Sequence, residues 1–68
     1  MISDDDARRV VRNVVRQATE KAGSQTALAT QIGASQASVS KWTSGASQPA
    51  GKYLIAMLVL LGYNGTEG

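Results

Sequence analysis

Residues 25–44 read QTALATQIGASQASVSKWTS, two short helical patterns on either side of a glycine. Leu28, Ala29 and Ile32 fall at i, i+1 and i+4, which puts them on one side of a first helix. Gly33 predicts where that helix stops. A chain that leaves a helix and turns sharply needs a left-handed residue, and glycine takes that conformation without a Cβ clash. Ser35 then offers a hydroxyl that caps the next helix by accepting from one of its free N–H groups.

The second helix is predicted over residues 36–44. At about 100° per residue, Ser38, Val39 and Trp42 share one side, and Gln36, Ala37, Ser40, Lys41 and Ser44 share the other. The outer side holds an amide, hydroxyls, a methyl and one cation, with no carboxylate. Such groups suit base edges and phosphates: Gln pairs with adenine, Ser serves several bases, Ala meets the thymine methyl, and Lys meets guanine or phosphate.

On these residues the segment resembles the helix-turn-helix of the Cro and phage-repressor family. Gln25 opens the first helix, Ala29 is the small residue that lets the helices cross closely, and Gly33 makes the turn. Val39 and Trp42 are the apolar anchors of the recognition helix. The resemblance implies a lambda-repressor-like fold and DNA binding. It also implies that Gln25 bonds a phosphate and braces Gln36, and that the loop after the recognition helix follows the DNA backbone. That loop adds Ser47, Gln48 and Lys52 to Ser44 as phosphate contacts. The order of a helical lead, this motif and an apolar last helix is also similar to the phage activator CII.

The whole chain has 68 residues, enough for one small domain. Such a chain buries only about 60% of its unfolded surface, so its core is marginal. With no Cys and no His, a disulfide framework and a Cys or His metal site are excluded, and a reducing cytoplasm fits. The net charge is only +2, but between Lys21 and Thr66 there are three Lys and no Asp or Glu. That segment favours an anionic partner.

The first helix is expected to begin near Asp4 or Asp5, capped by Ser3 or Asp4, with the acidic run at the positive end of the helix dipole. Ala7, Val10, Val11, Val14, Val15, Ala18 and Ala22 form its apolar face. Arg9, Arg12 and Arg16 lie opposite, read as a solvated stripe paired with Asp5 and Glu20 at i, i+4 spacing. An acidic start without an apolar core does not predict a signal peptide. Gly23 and Ser24 make a short connection to the next helix, where Gln25 and Thr26 occupy a phosphate-binding start.

After Trp42, Gly45 is expected to close the recognition helix. Pro49 is placed in the first turn of the next, with Ser47 or Gln48 as its cap. The run YLIAMLVLL is too short to span a membrane, and on a helix it is apolar all round. Its stripes are Leu54, Leu58 and Leu61; Ile55 and Val59; and Tyr53, Ala56 and Leu60. A small bundle covers only some of them, so a homodimer through Leu60, Tyr53 or Ile55 is expected.

The sequence therefore predicts an all-α fold, a compact bundle of four to five helices over residues 1–63, with a C-terminal tail over residues 64–68. The predicted function is a sequence-specific DNA-binding regulator, repressor or activator. Its contacts to double-stranded DNA are Gln25, Thr26, Ser35, Gln36, Ala37, Ser40, Lys41 and Ser44. No cofactor, metal or small-molecule ligand is expected. Without His or Cys, and with few carboxylates positioned for burial, catalysis is not expected either. The other class open to this fold is an antitoxin-like subunit docked on a protein partner.

Overall fold

Three serines, each ahead of a helix, and four left-handed glycines set most of the element boundaries. The computed structural model describes residues 1–63, and among them the elements are α1 (Asp4–Ala22), α2 (Gln25–Ile32), α3 (Gln36–Ser44) and α4 (Gly51–Leu60). There is no strand and no fifth helical turn among the described residues. The expected tail lies outside them.

Ser3, Ser24 and Ser35 each accept from the backbone N–H three residues on, at 3.1, 3.0 and 3.1 Å. A cap of this kind satisfies a donor that the helix itself leaves open. Gly33 closes α2 with φ 77°, and its N–H and that of Ala34 both donate to the Ala29 carbonyl. The turn is thereby held from within, and α3 leaves α2 after only Gly33, Ala34 and Ser35.

The start of α4 departs from expectation. Pro49 precedes the helix instead of standing in its first turn, and neither Ser47 nor Gln48 caps it. Ala50 is the extended residue before the helix, with φ −65° and ψ 159° and no side-chain cap. Its carbonyl accepts from Tyr53 and Leu54, each at 3.0 Å.

The core is one contact layer thick. Val15 and Ala18 of α1, Leu28 and Ala29 of α2, Val39 and Trp42 of α3, and Met57 of α4 are buried. The molecule measures 18 Å in its shortest direction, less than two helix diameters of about 10 Å each. Helix α1 packs on all three others, whereas the backbones of α3 and α4 do not touch. The Trp42 and Tyr53 rings span that gap, with centroids 5.4 Å apart.

Two expected core positions of α1 lie outside. Ala7 is exposed, and Val10 is 58% exposed, while Thr19 is half-buried and donates to the Val15 carbonyl at 2.8 Å. The buried strip is thus turned toward the arginine side by about 40°, at roughly 100° per residue. The reason is tertiary: α1 crosses α2, α3 and α4 at once, and that shared contact, not the centre of the apolar arc, decides which residues are covered. Arg16 pairs with Glu20 as expected, at 4.0 Å, but Arg9 pairs with Asp6 at 3.6 Å and not with Asp5.

On α4 the exposed stripe is Ile55 and Val59, at 63% and 57%. Tyr53 is half-buried against Trp42 and Leu60 is half-buried on the core. Of the three residues expected at a dimer face, only Ile55 is free of the fold.

Candidate nucleic-acid interface

Val39 and Trp42 fix α3 by its back. Gln36, Ala37, Ser40, Lys41 and Ser44 are all exposed on the other side. This division follows from the helical repeat alone. It leaves a face of neutral polar groups and one cation.

Two of the hydroxyls predicted to meet DNA are engaged within the chain. Ser35 Oγ accepts from the Ser38 N–H and donates to Ser38 Oγ at 3.0 Å, so it shapes the start of α3. Ser44 Oγ donates to the Lys41 carbonyl at 3.1 Å and accepts from the Ala46 N–H at 3.3 Å. Gln36, Ala37, Ser40 and Lys41 make no such side-chain bond among the described residues.

The start of α2 carries the other two predicted contacts, Gln25 and Thr26. Ser24 serves the N–H groups of Ala27 and Leu28. Those of Gln25 and Thr26, the first two of the helix, have no partner among the described residues. Thr26 is exposed and Gln25 half-buried, and no hydrogen bond joins Gln25 to Gln36. The brace implied by the family resemblance is therefore not formed in the free chain. Lys52 lies with Nζ 5.0 Å from the centroid of the Tyr53 ring, a cation–π contact at the surface. Ser47 is half-buried and Gln48 exposed.

The sequence gives no sign of what borders α3 on its other flank. Arg12 reaches from α1 to the loop after α3, where its Nε and Cζ stand 3.6 and 3.7 Å from the point a Cβ would occupy on Gly45. A groove of about 600 Å³ lies along this side of α1, lined by Arg9, Val10, Arg12, Asn13 and Arg16, with Thr43 of α3. A second, of about 370 Å³, is lined by Asp5, Arg8, Arg9 and Arg12 and reaches Ser44, Gly45 and Gln48. Periodicity shows which residues share a face of one helix. It cannot show that a face of α1 adjoins the end of α3.

No helix among the described residues is long and apolar enough to cross a membrane. The chain matches no curated protein and no solved structure. The family model described as bacterial toxin YdaS matches residues 15–58, from the middle of α1 to the last turns of α4. Four packed helices and a match over most of its length place this chain in the bacterial toxin YdaS family.

Proposed function

We propose that the chain is a sequence-specific DNA-binding regulator of phage or prophage type, with α2 and α3 as a lambda-repressor-like helix-turn-helix. The observation that carries this reading is the division of α3. Its apolar side is pinned in the core by Val39 and Trp42, and its outer side presents Gln36, Ala37, Ser40 and Lys41 to solvent. A helix held by its back with amide, hydroxyl and cationic groups outward is built to enter a major groove. The open N–H groups of Gln25 and Thr26 at the start of α2 suit a phosphate. The protein acts by binding, without catalysing a reaction or using a cofactor.

A second copy completes the reading. Ile55 and Val59 form an uncharged exposed stripe, and an uncharged stripe is its own complement across a two-fold axis. A dimer that reads a two-fold repeated operator would hold its two α3 helices about 34 Å apart.

The experiment is binding of the purified chain to a library of duplex DNA across a salt series, with sequencing of the bound fraction. Enrichment of a two-fold repeated site, with affinity falling steeply as salt rises, supports the reading. Absent or salt-insensitive binding overturns it.

The family's description as a bacterial toxin favours a second reading, an antitoxin-like or toxin-like subunit that works through a protein partner. An obligate heteromer with weak DNA binding by the chain alone would support that reading instead.

A further inference from the structure

We infer that the arginine side of α1 is a second DNA-contacting surface, one that grips the phosphate backbone beside α3. This rests on the reading of α3 as the helix that enters the groove.

Thr43 lines the large groove with the arginines, and on α3 it stands about 60° from Ser40, at roughly 100° per residue. The groove therefore opens onto the edge of the outer face of α3. Arg12 ties the two together by lying over Gly45, the left-handed residue that closes α3 at φ 86°.

The charges then select the occupant. Arg8, Arg9, Arg12 and Arg16 gather on this side, and Arg8 and Arg12 have no ion pair among the described residues. The pairs that do form are long and solvent-exposed, Arg9 with Asp6 at 3.6 Å and Arg16 with Glu20 at 4.0 Å, and such pairs hold their partners weakly. Asp5 lines the smaller groove with Arg8, Arg9 and Arg12 and offsets part of their charge. Arg8, Arg12 and Arg16 recur every four residues, about 6 Å of rise per step. A row of guanidiniums, each able to fork onto an oxyanion, suits a polyanion with charges in sequence better than one isolated phosphate. Beyond α1 the lining supplies hydroxyl and amide groups from Thr43, Ser44 and Gln48, and no carboxylate.

The test compares the wild-type chain with Arg12→Gln, the double variant Arg12→Gln/Arg16→Gln, Arg12→Lys and Gln36→Ala. Each is measured on the selected duplex and on a scrambled duplex over a salt series, with helix content checked by circular dichroism. The expected result is that the arginine variants lose affinity equally on both duplexes. The slope of log affinity against log salt becomes about one unit shallower for each Arg→Gln change. Arg12→Lys keeps the slope, since the charge remains. Gln36→Ala loses affinity only for the selected duplex.

An unchanged slope in the double variant, with Gln36→Ala still losing the selected site, overturns the backbone grip and leaves α3 standing. The groove would then belong to an acidic protein partner. Loss of binding in the arginine variants with full selectivity in Gln36→Ala upholds the grip and overturns the role of α3. No duplex binding by the wild-type chain at low salt overturns both.

Discussion

The ring of Trp42 lies 5.4 Å from that of Tyr53, centroid to centroid, with the planes 39° apart. The α3 and α4 backbones do not touch, so side chains join the outer helix to the last one, this ring pair among them with Val39 and Met57 of the shared core. Truncating a buried Trp costs about 3–5 kcal/mol, against a total of about 3–10 kcal/mol for a chain of this size at roughly 0.05–0.15 kcal/mol per residue. Trp42→Ala is thus expected to be largely unfolded at 37 °C by circular dichroism. Tyr53→Leu removes the aromatic pairing, about 0.5–1.5 kcal/mol, and is expected to lower Tm by roughly 4–8 °C per kcal/mol.

Ser35 is expected to separate stability from binding. Ser35→Ala removes the cap of α3 and costs about 1 kcal/mol. Ser35→Asp restores the cap, because a carboxylate accepts from the Ser38 N–H and favours the helix start. On the proposed docking it also sets a negative charge beside the phosphates. Thermal melts should rank Asp above Ala, and affinity for duplex DNA should fall in Ser35→Asp; equal affinity in Ser35→Asp and wild type would place DNA elsewhere.

The turn at Gly33 isolates a backbone effect. Its φ is 77°, and a Cβ built there meets no atom within 4 Å. Gly33→Ala is therefore expected to destabilise through backbone strain alone, by about 1–2 kcal/mol. Gly33→Asn, which tolerates the left-handed region, is expected to cost less. Chemical denaturation of the three proteins checks the order.

Gln36→Ala and Lys41→Ala should differ in kind. Losing a bidentate base contact costs about 1–3 kcal/mol on the selected site only. Losing a phosphate or guanine cation lowers affinity more broadly and flattens the salt response. Gln17→Ala, an exposed change away from α3, is the control that should do neither. Competition binding with selected and scrambled duplexes distinguishes the three.

Ile55→Asp and Val59→Asp place a charge on the exposed stripe of α4. Both are expected to remain folded, since these side chains are 63% and 57% exposed. Both are expected to sediment as monomers at concentrations where the wild-type chain dimerises. A wild-type chain that is monomeric at all concentrations would remove this face from the proposal.

What the sequence could disclose depended on the range of the interaction. Caps and turns are local, so Ser3, Ser35, Gly23, Gly33 and Gly45 marked their boundaries correctly. The two faces of α3 were legible for the same reason, as its nine residues carry a clear alternation of Val39 and Trp42 against polar neighbours. In α4 the run YLIAMLVLL offers almost no contrast around the helix, and nothing in it marks Met57 as the residue that reaches the core or Ile55 and Val59 as those left outside. Pro49 read as the first turn of α4 because proline suits that position, yet the helix waits for Gly51. In α1 the apolar arc was broad enough to fit several rotations. The one adopted exposes Val10 and swings the arginines toward Thr43, a choice made by the crossing helices and invisible along the chain.

The 18 Å thickness of the molecule bears on how long each copy survives in a cell. With a single layer of core side chains, opening one helix would expose nearly all of it, and locally opened states are the ones that proteases cut. A ligand present at about 100 times its Kd adds roughly 2.7 kcal/mol to the closed state. On the proposed function, occupied copies would persist while idle ones are cleared, and the number of binding places, as much as the rate of synthesis, would set the standing population of the protein.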